Sequence, residues 1–68
     1  MRLEGPIGSL TLICPVRAFF VDGEQVVTSF ATDYRKMDCE DLREGQRVKV
    51  RGRRQLNGVV LATRIERD

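Results

Sequence analysis

The sequence predicts a small all-β domain, and three observations carry that prediction. Apolar and polar residues alternate along most of the chain, and no stretch of eleven residues or more carries a helical stripe. Two pairs, Asp22-Gly23 and Asn57-Gly58, are of the kind that closes tight hairpins. Sixty-eight residues make one domain with one small core. A chain near this length buries only about 60% of the surface that its unfolded form exposes.

The elements follow in order. Leu10, Leu12, Cys14, Val16, Ala18 and Phe20 share one parity, with Ser9, Thr11 and Arg17 on the other. Pro15 lacks a ladder donor and interrupts this run, so the expected element is a strand over Gly8–Cys14 that bends and continues as Arg17–Val21. After Asp22-Gly23, a strand over Glu24–Ala31 carries Val26, Val27 and Phe30. Thr32–Glu40 is polar and reads as a loop or a single helical turn. Asp41 and Glu44 have capping-box spacing, and Gly45 is expected in left-handed geometry where that turn ends.

In the strand Arg47–Arg51, Val48 and Val50 point inward while Arg47, Lys49 and Arg51 point outward. Asn57-Gly58 turns the chain into a last strand over Val59–Ile65. That strand is apolar on both parities, which predicts cover on both faces or a bulge. Five short strands with a loop between the third and fourth fit an OB-like barrel spanning residues 1–68, with an SH3-like barrel as the alternative.

The distribution of charge says more than its sum of +2. Residues 22–44 hold seven acids against three bases, whereas residues 45–64 hold six bases and no acid. Ten of the twelve bases are Arg, whose planar fork suits phosphate and carboxylate groups. Such asymmetry points to a charged binding face. The row Arg47, Lys49, Arg51 and Arg53 repeats every two residues, at about 6.6–6.8 Å, close to the repeat of an extended polyanion. With Arg54 and Tyr34, these residues form the candidate binding set. Phe20 and Phe30 read as core, which leaves Phe19 and Tyr34 as the aromatics available for stacking. The partner expected is single-stranded nucleic acid or another anionic ligand, and otherwise a protein. The competing reading is a structural or protein-interaction barrel whose basic strand is neutralised by acidic neighbours.

Other function classes lose ground. The chain has no histidine, so the usual general base, the commonest zinc ligand and every Ser-His or Cys-His arrangement are missing. No phosphate-binding loop is present. The expectation is a non-catalytic module without cofactor or metal. Asp38, Glu40, Asp41 and Glu44 match no calcium-loop spacing and read as capping and solvated residues. Cys14 and Cys39 read as separate thiols, one on a strand and one in a loop, with a single disulfide in an oxidising compartment as the alternative. The longest apolar runs, Ala18–Val21 and Val59–Ala62, are too short to span a membrane or to serve as a signal core. The chain as it stands therefore reads as cytoplasmic without membrane insertion, or as periplasmic or secreted if a signal peptide has been removed.

The order FFVDGEQVVTSFATDY, DLREGQRVKVRG and LNGVVLATRIE resembles a family of small bacterial domains of unknown function, often found in secreted or lipid-anchored proteins. The matching residues are Asp22, Gly23, Asp41, Leu42, Gly45, Val48, Val50, Gly52, Gly58, Ala62, Thr63 and Ile65, within Leu10 to Glu66. These are turn and core positions, so the resemblance implies a fold and leaves the chemistry open. The Asp-Leu-x-Glu-Gly-Gln run is also similar to that of OB-fold haem chaperones, which depend on a histidine that this chain lacks. OB-like barrels bind oligonucleotides or oligosaccharides on one sheet face and its loops.

Overall fold

A computed structural model describes residues 1–68 as an all-β domain built on a single sheet. Its strands are β1 (Arg2–Pro6), β2 (Gly8–Ile13), β3 (Val16–Val21), β4 (Glu24–Val27), β5 (Asp33–Arg35), β6 (Arg47–Arg54) and β7 (Val60–Arg67). A single 3-10 turn, Cys39–Asp41, precedes β6. No helix is long and apolar enough to cross a membrane.

The hydrogen-bonded order is β1-β6-β7-β4-β3-β2, with β5 also on β7. All pairs are antiparallel except β4–β7 and β5–β7. The ladder is not closed, because β1 and β2 at its two ends do not pair with each other. They are successive runs of chain separated only by Ile7. That residue is buried and held from both sides: its N–H donates to the Gln46 carbonyl (2.9 Å), and its carbonyl accepts from the Gly45 N–H (2.7 Å).

The alternation in β6 matches its burial, with Val48 and Val50 fully buried and Arg47, Lys49 and Arg51 exposed. Leu3 of β1, Phe19 and Val21 of β3, Val26 of β4, and Val60, Ala62 and Ile65 of β7 meet them in the core, with Leu42 below. Gly52 sits on β6 opposite Ala62 of β7, beside a register shift. A Cβ there would overlap the Leu61 carbonyl and lie 2.8 Å from Val60 Cγ1.

Several elements depart from the sequence reading. The five expected strands are present, and β1 and β5 are added to them. The chain does not continue through Pro15 but reverses there, so that β2 and β3 form a hairpin with Ile13 opposite Val16. Reversal resets the parity on which the aromatic assignments rested. Phe19 is therefore fully buried and Phe20 43% exposed, while Phe30, beyond the end of β4, is 87% exposed. The strand expected to reach Ala31 stops at Val27. Thr28 takes over there: its hydroxyl accepts from the Arg17 N–H (2.8 Å) and donates to the Pro15 carbonyl (2.9 Å).

The capping residues also shift. Asp41 is the third residue of the 3-10 turn, and its carboxylate accepts the Asp38 N–H (2.9 Å). Leu42 must leave the turn in extended geometry because its side chain is 1% exposed in the core. Glu44 instead accepts the Leu10 N–H (3.2 Å). Gly45 has φ +86°, the left-handed geometry expected of it. The β6–β7 connection, Gln55–Val59, turns through Leu56-Asn57-Gly58 and is closed by Gln55 N–H to Val59 C=O (2.7 Å), with Gly58 at φ +89°.

Cys14 and Cys39 form a disulfide, which corrects the reading of two separate thiols. The hairpin reversal at Pro15 carries Cys14 to the end of the molecule where the 3-10 turn begins, a proximity that local spacing could not reveal. The bridge closes a 25-residue separation. Chain-entropy arguments value a loop of that length at about 3.5 kcal/mol. Cys14→Ser, or reduction with dithiothreitol, is expected to lower unfolding stability by about that amount in a denaturant titration. Gly52→Ala is expected to cost about 1–3 kcal/mol in the same measurement, since the strands must separate to admit the methyl group.

Candidate anion-binding face

The candidate cations do not act as one row along β6. Arg47 Nε lies 3.5 Å from Asp68 Oδ2. Lys49 Nζ lies 3.9 Å from both Glu4 Oε2 and Asp68 Oδ1. Arg54 clasps Glu24 with both terminal nitrogens, at 3.0 and 2.8 Å. This bidentate bond holds the Glu24 carboxyl below its usual value and raises the Arg54 guanidinium. Arg51 and Arg53 form no ion pair. The acidic partners of the basic strand come largely from Glu4 and Asp68 at the two ends of the chain, and only Glu24 comes from the acidic segment 22–44.

Tyr34 stands apart from these residues. It pairs with Ile65, whose side chain is in the core, so β5 turns the phenol towards the interior. Burial raises its pKa, and its hydroxyl, near Thr28, has no hydrogen-bond partner. It lines a groove of about 440 Å³ with Phe30 and the disulfide. Neither Tyr34 nor the buried Phe19 offers a stacking platform beside the basic strand.

Register assembles a different group. Glu4, Lys49 and Glu66 are directly opposed across β1, β6 and β7, so charge alternates along that row. One step away, Arg2, Arg51 and Arg64 are opposed across the same three strands. Cross-strand neighbours have Cβ atoms about 4.5–5.5 Å apart, where like charges repel. Only Asp33, opposite Arg64 on β5, approaches the row, with Oδ2 3.6 Å from Arg64 Nε. Arg35 shares that carboxylate at 3.0 Å. Arg2 and Arg51 have no acidic partner.

With Lys49 and Glu66, the three arginines line a depression of about 140 Å³ in the sheet surface. Arg2 and Arg64 escape a reading of the sequence because they belong to other strands. Pairing alone makes them neighbours of Arg51.

A family model, "Domain of unknown function (DUF5666)", matches residues 4–66. The chain belongs to the DUF5666 family. No curated protein and no solved structure matches it. The DUF5666 match covers β2 to β6 in full and nearly all of β7, and it includes Arg51 and Arg64 but not Arg2.

The Glu24–Arg54 pair gives this DUF5666 domain a pH-dependent contact. A carboxyl with a depressed folded-state pKa stabilises the fold above its unfolded value, and the contribution is lost as pH falls through the folded one. An NMR titration is expected to find Glu24 below the usual glutamate value, and Arg54→Ala is expected to return it there.

Proposed function

We propose that this DUF5666 domain is a non-catalytic, OB-like binding module that recognises an anionic group through Arg2, Arg51 and Arg64, with Arg53 extending the site. The observation that supports the reading is the set of three arginines brought into register across β1, β6 and β7, of which only Arg64 meets a carboxylate, that of Asp33. An uncompensated like-charge row destabilises the free sheet slightly, and an oxyanion bound at its centre reverses the sign of that interaction. Arginine forks from three strands suit a tetrahedral sulfate or phosphate, or a carboxylate.

The OB-like assignment rests on the connectivity. β1 and β2 count as one bent strand interrupted at Ile7. With β3, β4, β6 and β7 they make five strands whose chain, not its ladder, joins the two edges. OB barrels are partly open in this manner.

Oligonucleotide binding is the weaker form of the proposal. Arg47, Lys49 and Arg54 are engaged by acids, and no exposed aromatic stands beside Arg51. A single-strand binder needs both the cations and the platforms. The Cys14–Cys39 bridge also favours an oxidising, extracytoplasmic setting. A discrete anionic group fits these observations better than a long nucleic-acid strand. A protein-interaction barrel without an anion site is the second reading, and the exposed Ile13, Val16 and Phe20 side chains favour it.

Titration with inorganic sulfate and phosphate, followed by amide chemical shifts, tests the site. Saturable shifts are expected on β1, β6 and β7. Arg51→Ala is expected to weaken binding at least tenfold, about 1.4 kcal/mol or more, while Arg47→Ala changes it less than twofold. Equal responses from the two variants, or no saturable shift, would sink the proposal. Anisotropy with a single-stranded oligonucleotide and with a sulfated oligosaccharide separates the two sources of anion.

A further inference from the structure

The depression between Arg2, Arg51 and Arg64 has a wall that the three arginines do not account for. Its other two residues are Lys49 and Glu66, so a single carboxylate lines an otherwise cationic hollow. Glu66 follows Arg64 by two positions on β7, which sets both on one face of the strand about 6.6–6.8 Å apart. It is also the diagonal neighbour of Arg51 across the β6–β7 ladder, a separation of about 7–8 Å that long side chains bridge.

The charge of Glu66 is balanced within the sheet. Lys49 stands directly opposite, and Lys36 Nζ lies 3.6 Å from its Oε2. Its hydrogen-bonding capacity is not used. The ion pair is longer than a hydrogen bond, and no other N–H or O–H of the protein reaches either carboxylate oxygen. A carboxylate offers about four acceptor positions, and this side chain is only 36% exposed. The other acids beside the row are turned elsewhere. Glu4 pairs with Lys49 at 3.9 Å, Asp33 is shared by Arg64 and Arg35, and neither lines the depression.

We propose that Glu66 selects among anions and that the group it selects is hydrogenphosphate, an assignment that rests on the anion-binding reading above. Arginines attract any oxyanion. A carboxylate beside them repels an oxygen that carries no proton and accepts a hydrogen bond from one that does. Inorganic phosphate keeps a P–OH throughout the neutral range. That hydroxyl donates to Glu66 while the remaining oxygens accept from the arginines. Sulfate and carboxylate ligands are proton-free at the same pH. A phosphate monoester, whose second pKa is about 6, is largely proton-free above neutrality as well. The free ion therefore matches the whole set of donors and acceptors, and its proton-free analogues leave Glu66 facing a bare oxygen. A site built around a ligand hydroxyl discriminates against the analogue that lacks it. The hollow, about 140 Å³, suits one such ion.

Amide chemical-shift titrations of the full chain with phosphate, sulfate and methyl phosphate test the assignment, at constant ionic strength and about pH 7.5, above the monoester pKa. Phosphate is expected to bind about tenfold tighter than either analogue. Glu66→Gln keeps the shape, removes the charge and adds a donor, so sulfate binding is expected to strengthen and the preference to vanish. Loss of charge alone would strengthen all three anions equally. Glu4→Gln removes a charge on the same face outside the depression and is expected to leave the preference unchanged. Amide spectra check that the variants fold, and the wild-type comparison is decisive without them. Sulfate or methyl phosphate binding the wild type as tightly as phosphate overturns the assignment and leaves the anion site standing. A preference for phosphate that survives in folded Glu66→Gln overturns it too. If none of the three binds saturably, the anion site and the assignment fall together.

Discussion

The pairing of β7 is the constraint on which the rest of this fold depends. One edge of β7 is taken along its length by β6. The other is divided between two short parallel strands, β4 at Val60–Leu61 and β5 at Arg64–Glu66. Neither β4 nor β5 covers Ala62, so its carbonyl would be left without a partner in the gap. The buried Thr32 hydroxyl fills it, donating to that carbonyl at 2.8 Å while accepting the Ser29 N–H at 2.9 Å. A buried orphan carbonyl costs about 1–3 kcal/mol, so this one side chain allows a three-partner strand to exist. With β7 satisfied, Val60, Ala62 and Ile65 close the core below and Arg64 is set beside Arg51 above.

Two adjacent rows on the β1-β6-β7 surface show what that registration does. The Glu4–Lys49–Glu66 row alternates in sign and needs nothing further. In the Arg2–Arg51–Arg64 row, like charges on directly opposed strands cost on the order of a few tenths of a kcal/mol per pair, and salt reduces this. That is small against the burial of Val48, Val50 and Ile65 beneath, each worth about 1.5–3 kcal/mol. The sheet therefore tolerates the row, and the hydrophobic face dictates a register that the charged face alone would not choose.

The sequence made the long strands legible and left their neighbours hidden. Val48 and Val50 against Arg47, Lys49 and Arg51 set β6 by alternation, and Gly45 marked its approach. β1 escaped because Leu3 is its only large apolar residue and a Gly and a Pro follow. β5 escaped because three polar residues carry no pattern, and pairing with β7 alone makes them a strand. The aromatic parity failed at Pro15, where a turn replaced the expected bend. The disulfide and the arginine row share one cause of concealment. Each joins residues distant in sequence, so local reading found Arg51 without its two neighbours, and Cys14 without Cys39. The doubly apolar pattern of Val59–Ile65 was visible, and the structure turns Leu61 outward on a face that also carries Phe20.

The place of β7 in the chain bears on how the sheet is made. β4 and β5 pair with a strand that follows them after the whole of β6, and β1 pairs with a strand more than forty residues away. Only the β2–β3–β4 meander and the β6–β7 hairpin can form from local contacts. Contact order of this kind slows folding, because loop closure comes before the interactions that compensate for it. A chain emerging from its N-terminus thus stays incomplete until β7 appears, with the Phe19 and Val26 side of its first hairpins still open to water.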